Sequence, residues 1–547
     1  MLELAGPQPP TTIDVDEELP HSERMFRTVV QNSGRCADGR DADECAHTCA
    51  DVAVIGGGMA GMATALRLQA AGLSTVVLEA HGHAGGCAGY YRKRGFSFDV
   101  GATTLVDFGL GGVGRELLDS VGIPPLDAQE LPGYQAHLPD RQVVLHRDQA
   151  AWHAERLRKL GDSERHRAFW ALLDRLAHTF WRASRAGVRL PIRGPADAVH
   201  ALRAVGLSGL PYARHLNRTL GGALRDHGLR GDAALVGLLA MLVEDTVHTG
   251  VDDAPLINAA LGVTIRGAGL SRHSGGMHGF WRVLVRHYRG LGGSLRTACR
   301  VTHVEGGPGA YRLTTRQGSR QGTAHARRIV CAVPAATTAT ICAGLPVARR
   351  LRTYLQRDAD ALGGATVLFL GVPESEVAGR ELTHHQLLQS YDRPLGDGNN
   401  MFVSVSAPGD TLSAPPGHRA VMISTHTDLA HWRDLDPAEY EQRKKETGEG
   451  LLAHARRAYP RLGEHAVIAQ TGTPRSYERF GFRPGGAVGG VRQRLTNTNQ
   501  HAVPHDLGGP GLWLVGDSTW PGLGTVACVL GSRIVAEGML REKGHGR

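Results

Sequence analysis

Asp51–Gly61 reads DVAVIGGGMAG, a short apolar run that closes on Gly56, Gly58 and Gly61 in the pattern G-x-G-x-x-G. The Ala- and Leu-rich stretch Met62–Ala71 predicts a helix, and Ser74–Ala80 (STVVLEA) predicts a second strand ending in an acid, Glu79. Glu79 follows Gly56 by 23 positions, close to the ~20 of a dinucleotide-binding βαβ unit. Sterics set a task for each glycine. Gly56 allows the tight turn, Gly58 admits a pyrophosphate to the backbone, and Gly61 lets helix and strand pack closely. The helix N-terminus, from Met59 and Ala60 onward, then faces the phosphates. Glu79, with Ala80 after it, accepts hydrogen bonds from a ribose. The motif alone is weak, but strand, helix, second strand and terminal acid together are specific.

A chain of 547 residues has room for two or three structural units. No window approaches ~18 consecutive apolar residues, so no transmembrane helix is expected. The N-terminus carries Glu3, Asp14, Asp16, Glu17 and Glu18 in place of a basic region followed by an apolar core, which speaks against a secretory signal. A formal charge of +8 favours anionic partners such as a phospholipid surface but is too diffuse to indicate nucleic acid. Scattered cysteines fit a cytoplasmic protein with buried thiols. Residues 1–50 are polar and aperiodic and read as a disordered extension. Within them Cys36, Cys45 and Cys49 cluster with His47, but the spacing matches no strong metal template, and no metal is assigned.

Nucleotide-type segments recur along the chain. Ser274–Arg289 reads as a Gly turn and a helix, Thr297–Glu305, Tyr311–Thr315 and Arg328–Val333 as strands, and Gly511–Asp517 as a strand closing on an acid before a Gly-rich turn and a last helix. An α/β fold follows, with an FAD-binding domain of Rossmann-like type assembled from residues 51–112, 271–340 and 503–547. Residues 113–270 and 341–502 then form an inserted α+β substrate-binding, membrane-facing domain.

Three further blocks carry a resemblance. Gly85-Gly86-Cys87-Ala88-Gly89-Tyr90 runs on into Arg94–Gly101, Ser274-Gly275-Gly276-Met277 lies mid-chain, and Val515-Gly516-Asp517-Ser518-Thr519 precedes Pro521-Gly522-Leu523-Gly524. Together they resemble the flavin-containing polyene oxidoreductases of the flavin amine oxidase superfamily: phytoene-type desaturases, carotenoid cis–trans isomerases and retinol saturases. The resemblance implies a glutathione-reductase/amine-oxidase type of FAD domain. It also implies FAD contacts from Gly85, Gly86, Cys87 and Gly101, from Val304 on the adenine side, and from Gly516, Asp517, Gly524, Thr525 and Val526. One departure is Ala84, where many relatives have Arg or Pro, a change that bears on one phosphate contact. Each block also has an ordinary structural reading: a plain turn at Gly85-Gly86, a helix cap at Asp517, an ordinary strand at Val304.

No nucleophile–base dyad or P-loop stands out, as expected where the cofactor carries the hard chemistry and the protein aligns substrate against it. The implied activity is oxidoreduction or isomerisation at carbon–carbon bonds of a lipophilic polyene or prenyl lipid, with a quinone or oxygen as electron acceptor. Such chemistry calls for a long apolar channel. Weak catalytic candidates are Glu244 and His248 (with Asp245) near a helix end, and His426 on a strand. His384, His385, Gln386, Ser404, Ser406 and Thr425 are either channel-lining or structural. Cys528 offers a remote chance of covalent flavin attachment. Between Asp174 and Asp197, Arg175, Arg182, Arg185, Arg189 and Arg193 alternate with Phe180, Trp181, Leu190 and Ile192, which suits either an anionic lipid surface and peripheral attachment or a solvated helix. Two rivals stay open: a flavin amine oxidase or other FAD oxidase of natural-product biosynthesis, and a non-catalytic FAD-binding scaffold.

Overall fold

Strand β1 (Thr48–Ile55), helix α1 (Met59–Ala70) and strand β2 (Thr75–Leu78) form a parallel βαβ unit in which Ile55 lies opposite Leu78. The computed structural model of the protein describes residues 48–544. The candidate cluster of Cys36, Cys45, His47 and the Cys49 side chain lies outside the described residues, as does almost all of the extension read as disordered. From Val52 to Ile55 β1 is apolar because both of its faces are buried there. Val52 and Val54 pack with α1, while Ala53 and Ile55 enter a separate core on the other face.

Distant segments complete this sheet. In spatial order it runs Ser294–Arg296, β2, β1, Arg320–Cys331, Ala310–Gln317 and Arg300–Gly307, with Leu512–Leu514 beside Arg320–Cys331. The C-terminal helix Thr525–Gly544 packs against α1 through Val529 and Val535. This is the discontinuous, Rossmann-like α/β arrangement expected of the sequence. Two helices lie beyond the boundaries drawn at 112 and 340, and a third straddles 340, yet all three pack on the nucleotide side. Glu116 of Val113–Val121 pairs with Arg67 of α1 at 2.6 Å, and Ala335 and Val347, from the helices Ala335–Ile341 and Pro346–Arg357, share a core with Ile55. Their apolar stripes find the nearest uncovered face, and that face belongs to the first sheet.

The second sheet has seven strands in the order Ile468–Gly472, Gly364–Pro373, His418–Thr427, Asn400–Val405, His384–Leu388, Gly133–His137 and Gln142–His146. Both insertions therefore contribute to one sheet, joined where His385 lies parallel to Gln135. The helices Glu164–Arg185, Ala233–Val247 and Leu256–Val263 bury one another beside Tyr134 and Leu388, while Pro437–Ala455 packs over Leu368 and Ile423. No helix among the described residues is long and apolar enough to cross a membrane.

Candidate active site

The glycines of the nucleotide motif fall into two physical kinds. At Gly56 (φ +104°) and Gly61 the protein itself forbids a side chain: a Cβ would lie 2.7 Å from the Ala332 carbonyl oxygen at the first and 2.0 Å from the Gly56 carbonyl oxygen at the second. Gly58 differs. Its φ of −74° suits any residue, and the nearest atom to a Cβ there is the Gly86 Cα at 3.7 Å. Gly58 also precedes α1 with no side-chain cap and no acid in the first turn, so no carboxylate of the protein answers the positive end of that helix. A pyrophosphate fits this cradle by both shape and charge. Gly85, in a parallel bridge with Gly58, forms the opposite wall with Gly86 and Cys87.

Glu79 ends β2 with its carboxylate turned onto the loop: one oxygen accepts from Gly57 N–H at 2.5 Å, the other from His81 N–H at 2.7 Å. Burial raises its pKa, and those backbone donors oppose the rise. A carboxylate has about four acceptor sites, so capacity remains for a ribose. Ala80 follows at the strand end. The chain entering Arg300–Gly307 touches this corner, since Cys299 N–H donates to the Glu79 carbonyl at 2.8 Å. Val301 is two residues beyond that contact, whereas Val304 is five beyond it and fully buried opposite Leu313.

Two of the quoted blocks prove to be one unit. Asp99, from the Phe96–Asp99 strand, accepts from Met277 N–H at 2.8 Å and pairs with buried Arg272 at 2.5 Å, so it caps the helix Gly276–Gly290. A Cβ on Gly276 would meet that carboxylate at 2.6 Å. From the same helix Trp281 Nε1 donates to the Ala88 carbonyl at 2.7 Å. The internal S-G-G-M element thus buttresses the diglycine loop. Gly101 is equally constrained, with a Cβ 2.3 Å from the Cys87 carbonyl oxygen.

At the C-terminal end Gly516 (φ +123°) turns the chain after Leu512–Leu514, and Asp517 faces the guanidinium of Arg483 at 2.7 Å. Burial disfavours the Arg483 charge, but Asp517 and the Cys87 thiol more than offset this and raise its pKa. Gly524 has no atom within 4 Å of a Cβ, and Thr525 and Val526 open the long helix beyond it. Cys528 is held protonated, its pKa pushed up to about 12 by burial with Asp517 and Cys87 nearby; that does not suit a nucleophile.

The structure brings Glu244, His248 and His426 together in a cavity of about 390 Å³. His426 Nδ1 lies 3.5 Å from Glu244 Oε2, and the two imidazole rings are 4.9 Å apart. Burial disfavours protonation of His426, but Glu244 and Asp245 outweigh it and raise its pKa. His248 is pushed well below the ordinary value by burial and by the cations around it. Asp245 is raised to about 6, by burial first and Glu244 second. The cavity adjoins the Asp517 corner. A Cβ on Gly489 would meet His248 at 2.1 Å, and one on the next residue, Gly490, would meet the Asp517 carbonyl at 2.5 Å.

Where the chemistry calls for an apolar channel, this cavity is instead walled by Arg393, Asp397, Asp428, His431 and Arg492 besides the three candidates. The loops that close it leave the ends of interior strands of the second sheet, before Gly364–Pro373, after His384–Leu388 and after His418–Thr427. His384, His385, Gln386, Ser404, Ser406 and Thr425 are buried structural groups that do not line it. Ser404 lies 3.1 Å from His384, His385 meets Tyr459 at 2.9 Å, and Thr425 donates to the Asn400 carbonyl at 2.7 Å. Arg483 and Arg492 escape sequence reasoning. The signal that marks them is a further glycine-dense stretch, Gly485–Gly490, bracketed by the two arginines.

The model of the family of flavin-containing amine oxidoreductases matches residues 59–540. Prolycopene isomerase 1, chloroplastic, of an Oncidium hybrid cultivar is 22% identical over 504 residues, which is 87% of this chain and 81% of that protein. Phytoene dehydrogenase of Streptomyces griseus is 26% identical over 525 residues, 89% of this chain and 94% of that one. Among solved structures, cyclohexylamine oxidase from Brevibacterium oxydans IH-35A superimposes with a TM-score of 0.55 at 17% identity, covering 90% of this chain and 99% of that one. The cradle at Gly58, the acid at Glu79 and the open turn at Gly524 fit the cofactor of that family, FAD.

Proposed function

This chain belongs to the flavin-containing amine oxidoreductase family, and from that premise we propose that it acts on carbon–carbon bonds of a polyene or prenyl lipid, by carotenoid desaturation or isomerisation. The supporting observation is that likeness to carotenoid-acting relatives extends across both sheets rather than over one motif. FAD, when bound, accepts a hydride from carbon or returns one. Gly58, Gly85, Gly86 and the α1 N-terminus would hold its pyrophosphate, Glu79 its ribose, and Asp517 its ribityl chain. Glu244 orients His426, and the pair takes or returns the proton at the carbon next to the one that exchanges hydride. Peripheral membrane attachment, a cytoplasmic location and a quinone or oxygen acceptor belong to the same proposal.

One observation favours a second reading. Ionisable groups wall the cavity beside Asp517, which suits a substrate presenting a polar end, as an FAD oxidase of natural-product biosynthesis would use. Anaerobic incubation of the FAD-loaded protein with cis-lycopene and with phytoene separates the two. Bleaching of the flavin with a red shift of the polyene marks desaturation, and a cis–trans change that requires pre-reduced flavin marks isomerisation. Inertness toward both polyenes, with hydrogen peroxide formed from amines in air, sinks the first reading in favour of the second.

A further inference from the structure

A second cavity, of about 900 Å³, opens between the helices Gln149–Leu160 and Glu164–Arg185 and the short helix Ile265–Ala268. It is lined by six arginines and a single carboxylate, Asp174. Three of the six are already engaged: Arg147 with Glu130, Arg156 with Asp174 and Arg185 with Asp107. Arg175, Arg182 and Arg266 have no carboxylate within ion-pair distance among the described residues.

Arg266 is the telling one. It is only 5% exposed, its Nε and Nη1 have no hydrogen-bond partner, and its one side-chain bond is from Nη2 to Gln386 at a long 3.4 Å. The guanidinium lies over the Tyr134 ring at 5.0 Å. Buried Arg156 in the same wall also leaves its Nε unpartnered. Leaving charged donors unmet inside a protein costs more than leaving neutral ones, and the guanidinium fork matches a phosphate's oxygens two at a time. Trp152, Trp181 and Tyr212 supply aromatic wall beside the charges. Just outside, the segment 192–216 exposes Ile192, Val199, Leu202, Leu207, Leu210 and Leu216.

We propose that this cavity binds the phosphate of a phosphate ester, with Arg266 at its floor and Arg175 and Arg182 at its rim. The ester is either a soluble organic phosphate or a phospholipid headgroup drawn in beside the exposed aliphatic segment. The site is separate from the FAD cradle, and the proposal does not depend on which reaction the enzyme performs.

The test uses the FAD-loaded full chain. Glycerol 3-phosphate is titrated calorimetrically, and co-sedimentation is measured with vesicles of phosphatidylcholine alone and with added phosphatidylglycerol. One saturable site is expected, weakened tenfold or more by Arg266→Met and at least threefold by Arg175→Gln, an exposed rim side chain; Arg182→Gln should weaken it similarly but also removes a hydrogen bond to the Val205 carbonyl. Binding of the soluble ester identifies a free ligand, whereas binding confined to phosphatidylglycerol vesicles, with the same loss in the variants, identifies a headgroup. If Arg266→Met does not fold, Arg175→Gln and Arg182→Gln decide. Absence of saturable binding in both assays, or binding that the variants leave unchanged, overturns the proposal.

Discussion

The two sheets present chemistry in different ways. Around the first, the functional surface is backbone: uncapped N–H groups at the start of α1, the space over Gly58, the open turn at Gly524. Around the second it is side chains, Glu244 and His426, carried on a helix and a strand that meet only when both insertions are in place. A backbone site depends on the local path of consecutive residues and tolerates little change in sequence. A side-chain site depends on long-range pairing and allows its chemistry to be replaced without moving the scaffold. On the proposed reading, the phosphate cradle is the fixed part of this molecule, and the ionisable cavity is the part that sets what it acts on.

Substitutions can break that contrast. The largest effect expected is from Glu244→Gln, a fall of about 10²–10³ in kcat with FAD still bound, measured by single-turnover flavin reduction. A fall below about threefold would remove the pair from the proton step. Gly61→Ala should follow, costing about 2–3 kcal/mol of folding stability because the new methyl would sit against backbone; chemical denaturation of the apoprotein measures it. Gly58→Ala is the sharpening experiment. Nothing in the protein opposes that methyl, so the apoprotein should lose less than about 1 kcal/mol, while FAD affinity by fluorescence titration drops tenfold or more. Equal losses of stability at Gly58 and Gly61 would abolish the distinction between the two kinds of glycine.

The smallest effects are in pH dependence. The raised pKa of His426 means that kcat/KM rises with pH as the imidazole loses its proton, and Glu244→Gln should move that limb to lower pH by removing the charge that holds the proton. Because the folded value lies above the ordinary 6.5, the stability contributed by the protonated pair is complete below 6.5 and is lost as pH rises through the folded value. The Tm gap between the wild-type protein and His426→Gln should therefore be widest in acid and close in alkali. A gap independent of pH would show that the pair contributes packing alone.

What was legible in the sequence follows from the same contrast. Gly56, Gly58, Gly61 and Glu79 were readable because turn, helix start and strand end are consecutive, and each residue type answers a local steric demand. The Gly276 element and Asp99 were each visible, but not that one caps the other, since 178 positions separate Met277 from its acceptor. Glu244, His248 and His426 stood out only as polar residues at element ends. Their convergence depends on the packing of Ala233–Val247 against the second sheet, which no local pattern encodes. Arg483 was invisible for the same reason: its partner Asp517 lies 34 positions on, across a glycine-dense loop. The expected apolar channel was inferred from chemistry rather than from residues, whereas the ionisable cavity is built by residues that only the fold brings together.

The register between Gly133–His137 and His384–Leu388 has a consequence for engineering. The substrate-facing half of the molecule cannot be exchanged as a single cassette, because its sheet is stitched from two pieces of chain on either side of the nucleotide strands. A chimaera that imports one piece from a relative leaves a raw strand edge facing a stranger, an invitation to aggregate. Retargeting such an enzyme by recombination requires two crossovers made together, so natural variants of its specificity should arise by exchange of single side chains around the cavity more readily than by shuffling.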